Sequence, residues 1–364
     1  MYKLNSVSGE ARTGILKLRS GKVKTPFFMP VGTKATVKNL SPEQLENTGT
    51  ECIISNSFVL SLKPGSKLIE DHGGIHKFMK WKGGIFTDSG GFQAGSKDFL
   101  MGIKDEGIKF NNPYERKNQM LTPEDAIRIQ EELKSDVAMA LDDMPFPTAP
   151  FETVKKSVLR THDWAERFIK AKTDKKQLIF GISQGGVYKE LREFSAKTIN
   201  NMDFDGLAIG GLAIGETKRQ MFDALSATIK YYDKEKPRYM MGLGSPEDIL
   251  DAVEKGVDCF DSILPTQNAR RGTLMTFDGH MHFKTAKYSR DFSPIEKNCD
   301  CYACKNFTKA YVHHLLSTHE NLGLTLASIH NIRFMQRFIA KIREAIAENS
   351  YAGFKKDFLQ KYKK

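Results

Sequence analysis

Apolar residues fall along the chain in two alternating rhythms. Short apolar runs occupy residues 26–31, 51–55, 84–87, 136–141, 177–182, 206–209, 238–243 and 259–264. They do not alternate with polar positions. A strand of this kind is covered on both faces, as in a parallel sheet. Between many of them lie stretches with helical spacing, at 42–47, 122–133, 151–172, 189–202, 217–232 and 245–255. Ser41 and Thr122 stand as caps before Pro42 and Pro123, the residue order that opens a helix. Ahead of the first run, residues 14–18 and 23–25 flank a turn at 19–21 and predict an antiparallel hairpin.

Repeated strand–helix units imply parallel strands joined by right-handed crossovers. Eight of them predict a closed (β/α)8 barrel, a TIM barrel in the α/β class. The competing architecture is an open doubly wound sheet. No G-x-G-x-x-G follows the first run, which weakens a dinucleotide-binding reading.

Composition narrows the function. In 364 residues, 40% are hydrophobic and 27% charged, which excludes a disordered or fibrous chain. The net charge of +11 fits a lysine-rich soluble surface or a polyanionic partner such as nucleic acid. The N-terminal stretch has no apolar signal core, and no run is long enough to span a bilayer. The expectation is a cytoplasmic protein without a membrane partner.

In a barrel the reactive groups sit where strands end. Here those ends carry Asp88-Ser-Gly-Gly-Phe92-Gln, Asp142-Asp143-Met144, Ser183-Gln184-Gly-Gly, Gly210-Gly211-Leu212 with Glu216 beyond, Met240-Met241-Gly242, and Asp261. Any one acid is readily explained as a cap or turn residue; all of them on one rim are not. Paired carboxylates suit displacement at an acetal-like carbon, one attacking and one moving a proton. Asp with Gln suits the edge of a nucleobase. Glycine pairs let a flat ligand approach the backbone. Phe92 and Met241 are candidates to sandwich it, although each residue type is more often core.

Cys299, Cys301 and Cys304 place three of the five cysteines within six residues. An odd, clustered set is a poor disulfide framework and a good metal cluster. Three thiolates need a fourth ligand for a closed tetrahedral zinc site, which leaves no open position and is therefore structural. His313, His314, His319 and His330 all follow, and the pattern does not choose among them.

Five runs resemble bacterial tRNA-guanine transglycosylase (queuine tRNA-ribosyltransferase): Asp88-Ser-Gly-Gly-Phe-Gln, Phe180-Gly-Ile-Ser-Gln-Gly-Gly, Ala208 to Glu216, Tyr239-Met-Met-Gly-Leu-Gly and Phe260-Asp-Ser-Ile-Leu-Pro-Thr. The cysteine cluster, Ala310-Tyr-Val-His-His-Leu and Ile329-His330-Asn331 resemble the same family, so the likeness covers nearly the whole chain. It implies one catalytic (β/α)8 barrel domain over 1–364 with a zinc-binding subdomain at about 267–335, near the last βα unit. It also implies a homodimer and the tRNA anticodon loop as substrate. Wobble guanine would be exchanged for a 7-deazaguanine, in bacteria usually the aminomethyl precursor of queuosine. By position, Asp261 resembles the nucleophile that forms a covalent tRNA–aspartate intermediate, and Asp88 the general acid/base. Asp142, Gln184, Gly211 and Leu212 match base-edge contacts, and Phe92 and Met241 the stacking walls. Glu216 matches an acid behind the glycine loop. Cys299, Cys301, Cys304 and His330 match one structural Zn2+ per subunit.

Two positions depart from the family pattern. Asp142-Asp143-Met144 replaces the usual Asp-Glu-Cys. Gln267 stands where an arginine linked to RNA contact is usual, which directs attention to Arg270 and Arg271. A barrel glycosidase would need neither the glycine pairs nor the zinc cluster, and a non-catalytic RNA-binding relative would be expected to lack Asp261.

Overall fold

Strands buried on both faces must be covered inside and out, and the arrangement of this chain meets both demands. The computed structural model describes residues 1–91, 100–115 and 117–362. Strands β1 (Tyr2–Ser8), β2 (Ala11–Lys17) and β3 (Lys22–Thr25) form an antiparallel sheet, one strand larger than the predicted hairpin. β1 was not foreseen because its alternation is half-buried and polar. The barrel then begins with β4 (Phe27–Pro30), β5 (Cys52–Asn56) and β6 (Gly84–Asp88). A second antiparallel sheet, β7 (Leu100–Lys104), β8 (Gly107–Asn112) and β9 (Lys117–Leu121), is inserted after β6; its short, partly exposed strands leave little apolar signature.

The barrel resumes with β10 (Val137–Met139), β11 (Leu178–Ser183), β12 (Gly206–Ile209), β13 (Arg238–Met240) and β14 (Cys259–Ser262). All eight barrel strands pair in parallel in the order β5-β6-β10-β11-β12-β13-β14-β4. A parallel bridge from Val31 to Ile54 closes the ring, with Gly32 N–H donating to the Ile54 carbonyl at 2.7 Å. The expected TIM barrel is borne out, and the open sheet is excluded. Each predicted run overlaps its strand, but several strands are shorter, because the chain leaves the ladder where the rim loops begin.

Alternate residues point inward and outward, as the pleat requires. Phe27, Met29, Ile54, Phe86, Met139, Phe180, Ile182 and Tyr239 fill the interior. Leu16, Leu18 and Val23 of the N-terminal sheet join that cluster and plug the barrel floor. Phe28, Ile53, Ile85, Ala138 and Leu207 face the helices. The helices Pro123–Leu133, Lys218–Ile229 and Pro246–Glu254 begin at Thr122, Thr217 and Ser245, whose side chains accept from the third helical N–H. The 27-residue helix Asn321–Ala347 lies over β4, with Gln336 Nε2 donating to the Phe28 carbonyl at 3.2 Å and Arg343 to the Pro26 carbonyl at 2.9 Å. Before it come the hairpin β15 (Thr273–Thr276) and β16 (Gly279–His282) and the cysteine cluster. No helix among the described residues is long and apolar enough to cross a membrane.

A buried ion pair fastens the floor. Arg12 donates through Nε to Asp258 Oδ1 at 3.0 Å and through a terminal nitrogen to Oδ2 at 2.5 Å; Tyr2 OH adds a bond to Oδ1 at 3.1 Å. The pair ties the N-terminal sheet to the residue preceding β14. Removing one member leaves the other charge buried and alone, at a cost of roughly 3–5 kcal/mol. Arg12→Met is therefore expected to lower the unfolding free energy measured in urea by that amount, and Arg12→Met with Asp258→Asn by clearly less; equal losses in the two proteins would contradict the role given to the pair.

Candidate active site

The C-terminal ends of the barrel strands surround a cavity of about 400 Å3 lined by Asp88, Asp142, Met144, Gly210, Gly211, Leu212, Tyr239, Met241 and Asp261, among others. Six of the eight residues expected to act on or hold the base, Asp88, Asp142, Gly211, Leu212, Met241 and Asp261, therefore meet in one space. Gln184 lies beneath it. Phe92 falls outside the described residues.

Asp261 leaves β14 with its Oδ1 held by two donors, Tyr239 OH at 2.5 Å and Gly242 N–H at 2.7 Å. Burial raises its pKa, and these two bonds oppose the rise by favouring the ionised form. Neither bond uses Oδ2. Asp88 ends β6 in a different setting. Its Oδ2 accepts from Asn56 Nδ2 at 3.0 Å, while Oδ1 is buried without a hydrogen-bond partner among the described residues. Burial, then the charge of Asp261, push the Asp88 carboxyl up to about 8. At neutral pH it is mostly a proton donor beside a neighbour that ionises more readily. Environments that separate two carboxyl groups in this way divide acid from base.

Asp142 and Gln184 form the adjoining wall. Gln184 Nε2 donates to Asp142 Oδ2 at 2.6 Å. Burial lifts the Asp142 pKa to about 6, the Gln184 bond working against it, so the group is largely ionised at neutral pH. The glycines explain how the pair fits. A Cβ on Gly210 would lie 2.7 Å from Gln184 Nε2 and one on Gly211 would collide with Gln184 Oε1, and Gly211 sits at φ +67. Glu216 closes the loop by accepting from Ala213 N–H at 2.5 Å and Ile214 N–H at 3.2 Å. One carboxyl that ionises first, one that keeps its proton at neutral pH and a flat acceptor edge thus share a cavity large enough for a base and its sugar carbon.

Away from the rim, Cys299, Cys301, Cys304 and His330 bring their ligand atoms within 4.8 Å of one another. His330, inside the long helix, directs Nδ1 at the three sulphurs, 3.3 to 3.8 Å away. Its Nε2 donates to the Met275 carbonyl at 2.9 Å, which fixes the tautomer with a lone pair toward the thiols. His313 instead faces the Phe283 carbonyl, and His314 and His319 are not in the cluster. The Cys3His group can hold a metal ion.

The sequence profile described as Queuine tRNA-ribosyltransferase matches residues 6–364. The chain belongs to this family. Queuine tRNA-ribosyltransferase of Thermotoga neapolitana is 46% identical over 361 residues, covering 99% of this chain and 98% of its own. The protein of that name from a Thermoanaerobacter species is 47% identical over 354 residues (97% and 94%), and that of Geobacillus kaustophilus 46% over 353 (97% and 93%). The expectation of an enzyme of the tRNA-guanine transglycosylase type is thereby borne out.

Within this family frame, Met144 lines the cavity directly, so the departure from the usual cysteine reaches the pocket wall. Arg270 and Arg271 lie apart from the cavity lining, exposed at the end of the helix Leu264–Arg270, with no ion pair among the described residues. Sequence reasoning missed Tyr239 and Asn56. Tyr239 was counted in an apolar run; its position two residues before Met241 on one strand face was the available signal. Asn56 caps the helix Ser57–Leu62 and so orients its amide toward Asp88, a role that depends on pairing between β5 and β6.

A carboxyl raised from 3.8 to about 8 on folding binds its proton more tightly in the native state. Its contribution to stability is complete below the lower value and is lost as pH rises toward 8. Asp88→Asn removes this term. Urea unfolding across pH 5 to about 8.5 is expected to show the variant gaining stability over the wild type as pH rises; a pH-independent difference would refute the shift.

Proposed function

We propose that this chain exchanges the guanine at the wobble position of a tRNA anticodon for a 7-deazaguanine, through a covalent tRNA–aspartate intermediate. The observation that carries the proposal is the asymmetry of the two carboxyl groups, with Oδ1 of Asp261 held by two donors and Asp88 kept protonated. Asp261 Oδ2 attacks the ribose C1′. The C1′–N9 bond breaks, its electron pair leaves with guanine, and the Asp88 proton neutralises the departing base. The incoming base then gives its N9 proton to the Asp88 carboxylate and attacks C1′, releasing Asp261. Two displacements retain the anomeric configuration. The glycosidic bond is conserved as an ester between them, so no nucleotide cofactor is consumed. The wobble nucleotide must leave its stack for the reaction to occur.

In this reading Asp142 and Gln184 grip the amino and ring N–H edge, Gly211 and Leu212 meet the opposite edge, and Met241 stacks with Phe92. Met144 shapes the wall that chooses among incoming bases. The Cys3His group holds one structural zinc ion, which contributes folding energy to its lobe. Exposed aromatic residues on that lobe, Tyr302 and Tyr311 with Phe307 edge-on to the first and stacked on the second, support a homodimer. Arg270 and Arg271 supply free positive charge for RNA phosphates. A tRNA substrate also supports a cytoplasmic location.

Incubation with labelled guanine and bulk tRNA tests the activity: label should enter tRNA, and release of sugar without incorporation would contradict exchange. Asp261→Ala should lose both exchange and any denaturant-resistant protein–RNA adduct; an adduct that persists would move the nucleophile elsewhere.

Chelation of the metal should lower the melting temperature and weaken tRNA binding. Refilling with another tetrahedral ion should restore activity. A metal-free protein with unchanged melting and turnover would rule out the structural role.

Binding of tRNA should weaken with salt as counterions are released, and each of Arg270→Ala and Arg271→Ala should reduce the log–log slope by about one. An unaltered slope in the double variant would place the RNA elsewhere.

A further inference from the structure

The most unusual buried group outside the described chemistry is Arg192, whose side chain is 0% exposed. It forms no ion pair among the described residues. Its donors go to main-chain carbonyls at the ends of two barrel strands. Nε bonds Gly186 at 2.7 Å, Nη1 bonds Gly210 at 2.9 Å and Ser183 at 3.3 Å, and Nη2 reaches Gly211 at 3.4 Å. Burying a cation costs several kcal/mol, and an apolar side chain of the same volume often serves stability better. A guanidinium retained here has a task that shape alone does not meet.

Peptide geometry shows the task. In a trans peptide the carbonyl of one residue and the N–H of the next point in opposite directions. Arg192 draws the Gly210 and Gly211 carbonyls toward the protein interior. The N–H groups of Gly211 and Leu212 are thereby turned the other way, toward the cavity that both residues line. Neither N–H has a hydrogen-bond partner among the described residues, whereas the neighbouring Gly210 N–H is bonded to Ser183 and Ala213 N–H to Glu216. The helix that carries Arg192, Lys189–Asn200, also presents Ser195, whose Oγ accepts from the Gln184 N–H at 3.1 Å. One turn of one helix therefore sets the backbone on both sides of the Asp142–Gln184 wall.

We propose that Arg192 is a positioning residue for base recognition, aiming the Gly211 and Leu212 N–H groups at an acceptor on the base, the carbonyl oxygen of guanine. The inference rests on the reading that this cavity binds the base. Asp142 takes the donor edge; Arg192, acting through two peptides, supplies donors for the acceptor edge.

The test compares competition by guanine and by 6-thioguanine, which keeps the ring N–H and amino groups but offers sulphur, a weaker acceptor, in place of oxygen. Wild-type enzyme, Arg192→Lys and Arg192→Gln are assayed by labelled guanine exchange into bulk tRNA. Both variants are expected to raise KM for guanine more than they lower kcat, and to reduce the guanine preference over 6-thioguanine by up to about tenfold, the worth of one hydrogen bond. A merely structural arginine would weaken both bases equally, and an unchanged ratio in folded variants overturns the proposal. Should neither variant fold, the Gly211 amide resonance of 15N-glycine-labelled wild type carries the test: it must move more with guanine than with 6-thioguanine, and equal or absent movement overturns the assignment. If wild type incorporates no guanine, the exchange reading itself fails, and this inference with it.

Discussion

Two carboxyl groups facing one cavity repel each other's charge, so near neutral pH they settle into unequal states. Here the inequality is built from hydrogen bonds. Tyr239 and Gly242 donate to Asp261, whereas Asp88 accepts from the Asn56 amide and the Ser57 backbone and, among the described residues, keeps one oxygen unpartnered. Each donor in turn depends on the barrel. Tyr239 reaches Asp261 because β13 and β14 run parallel in register, and Asn56 reaches Asp88 because β5 and β6 do. Disturbing those ladders would alter the chemistry before it altered the fold.

The rest of the rim follows the same logic of support from behind. Asp142 is steadied by Gln184, and Gln184 fits only because Gly210 and Gly211 lack side chains. The glycine loop would be free to wander, but Arg192 on one side and Glu216 on the other fix its peptides. This part of the cavity wall is mostly backbone and short side chains, held in place by longer side chains such as Arg192 that do not line it. The metal-binding lobe is held to the barrel by the same helix that supplies His330 and covers β4, so the Cys3His group and the closure of the barrel are mechanically linked.

Much of this was legible in the sequence, for physical reasons. Parallel strands buried on two faces announce themselves as unbroken apolar runs, and all eight did. Strand-end acids and glycine pairs stood out because turns and catalysis both need them at the same places. What escaped was information carried by tertiary contact. The strands β7 to β9 are short and partly exposed, so no hydrophobic period marks them. Spacing alone did not choose among four histidines; the family resemblance chose His330, and the long helix does return it to the thiols. Tyr239 is also a core residue and Asn56 also a helix cap; their role beside the carboxyl groups exists only once neighbouring strands align. Nothing local in the helix Lys189–Asn200 distinguishes the buried Arg192 from a solvated arginine.

Asp88 holds a proton at neutral pH beside Asp261, which ionises first. The most direct measurement is a pH titration of the side-chain carboxyl resonances of 13C-aspartate-labelled protein, with Asp88→Asn to assign the signal. One carboxyl should titrate with a midpoint of about 8 and vanish from the spectrum of the variant. A resonance assigned to Asp88 that titrates near pH 4, like an ordinary aspartate, would contradict the account.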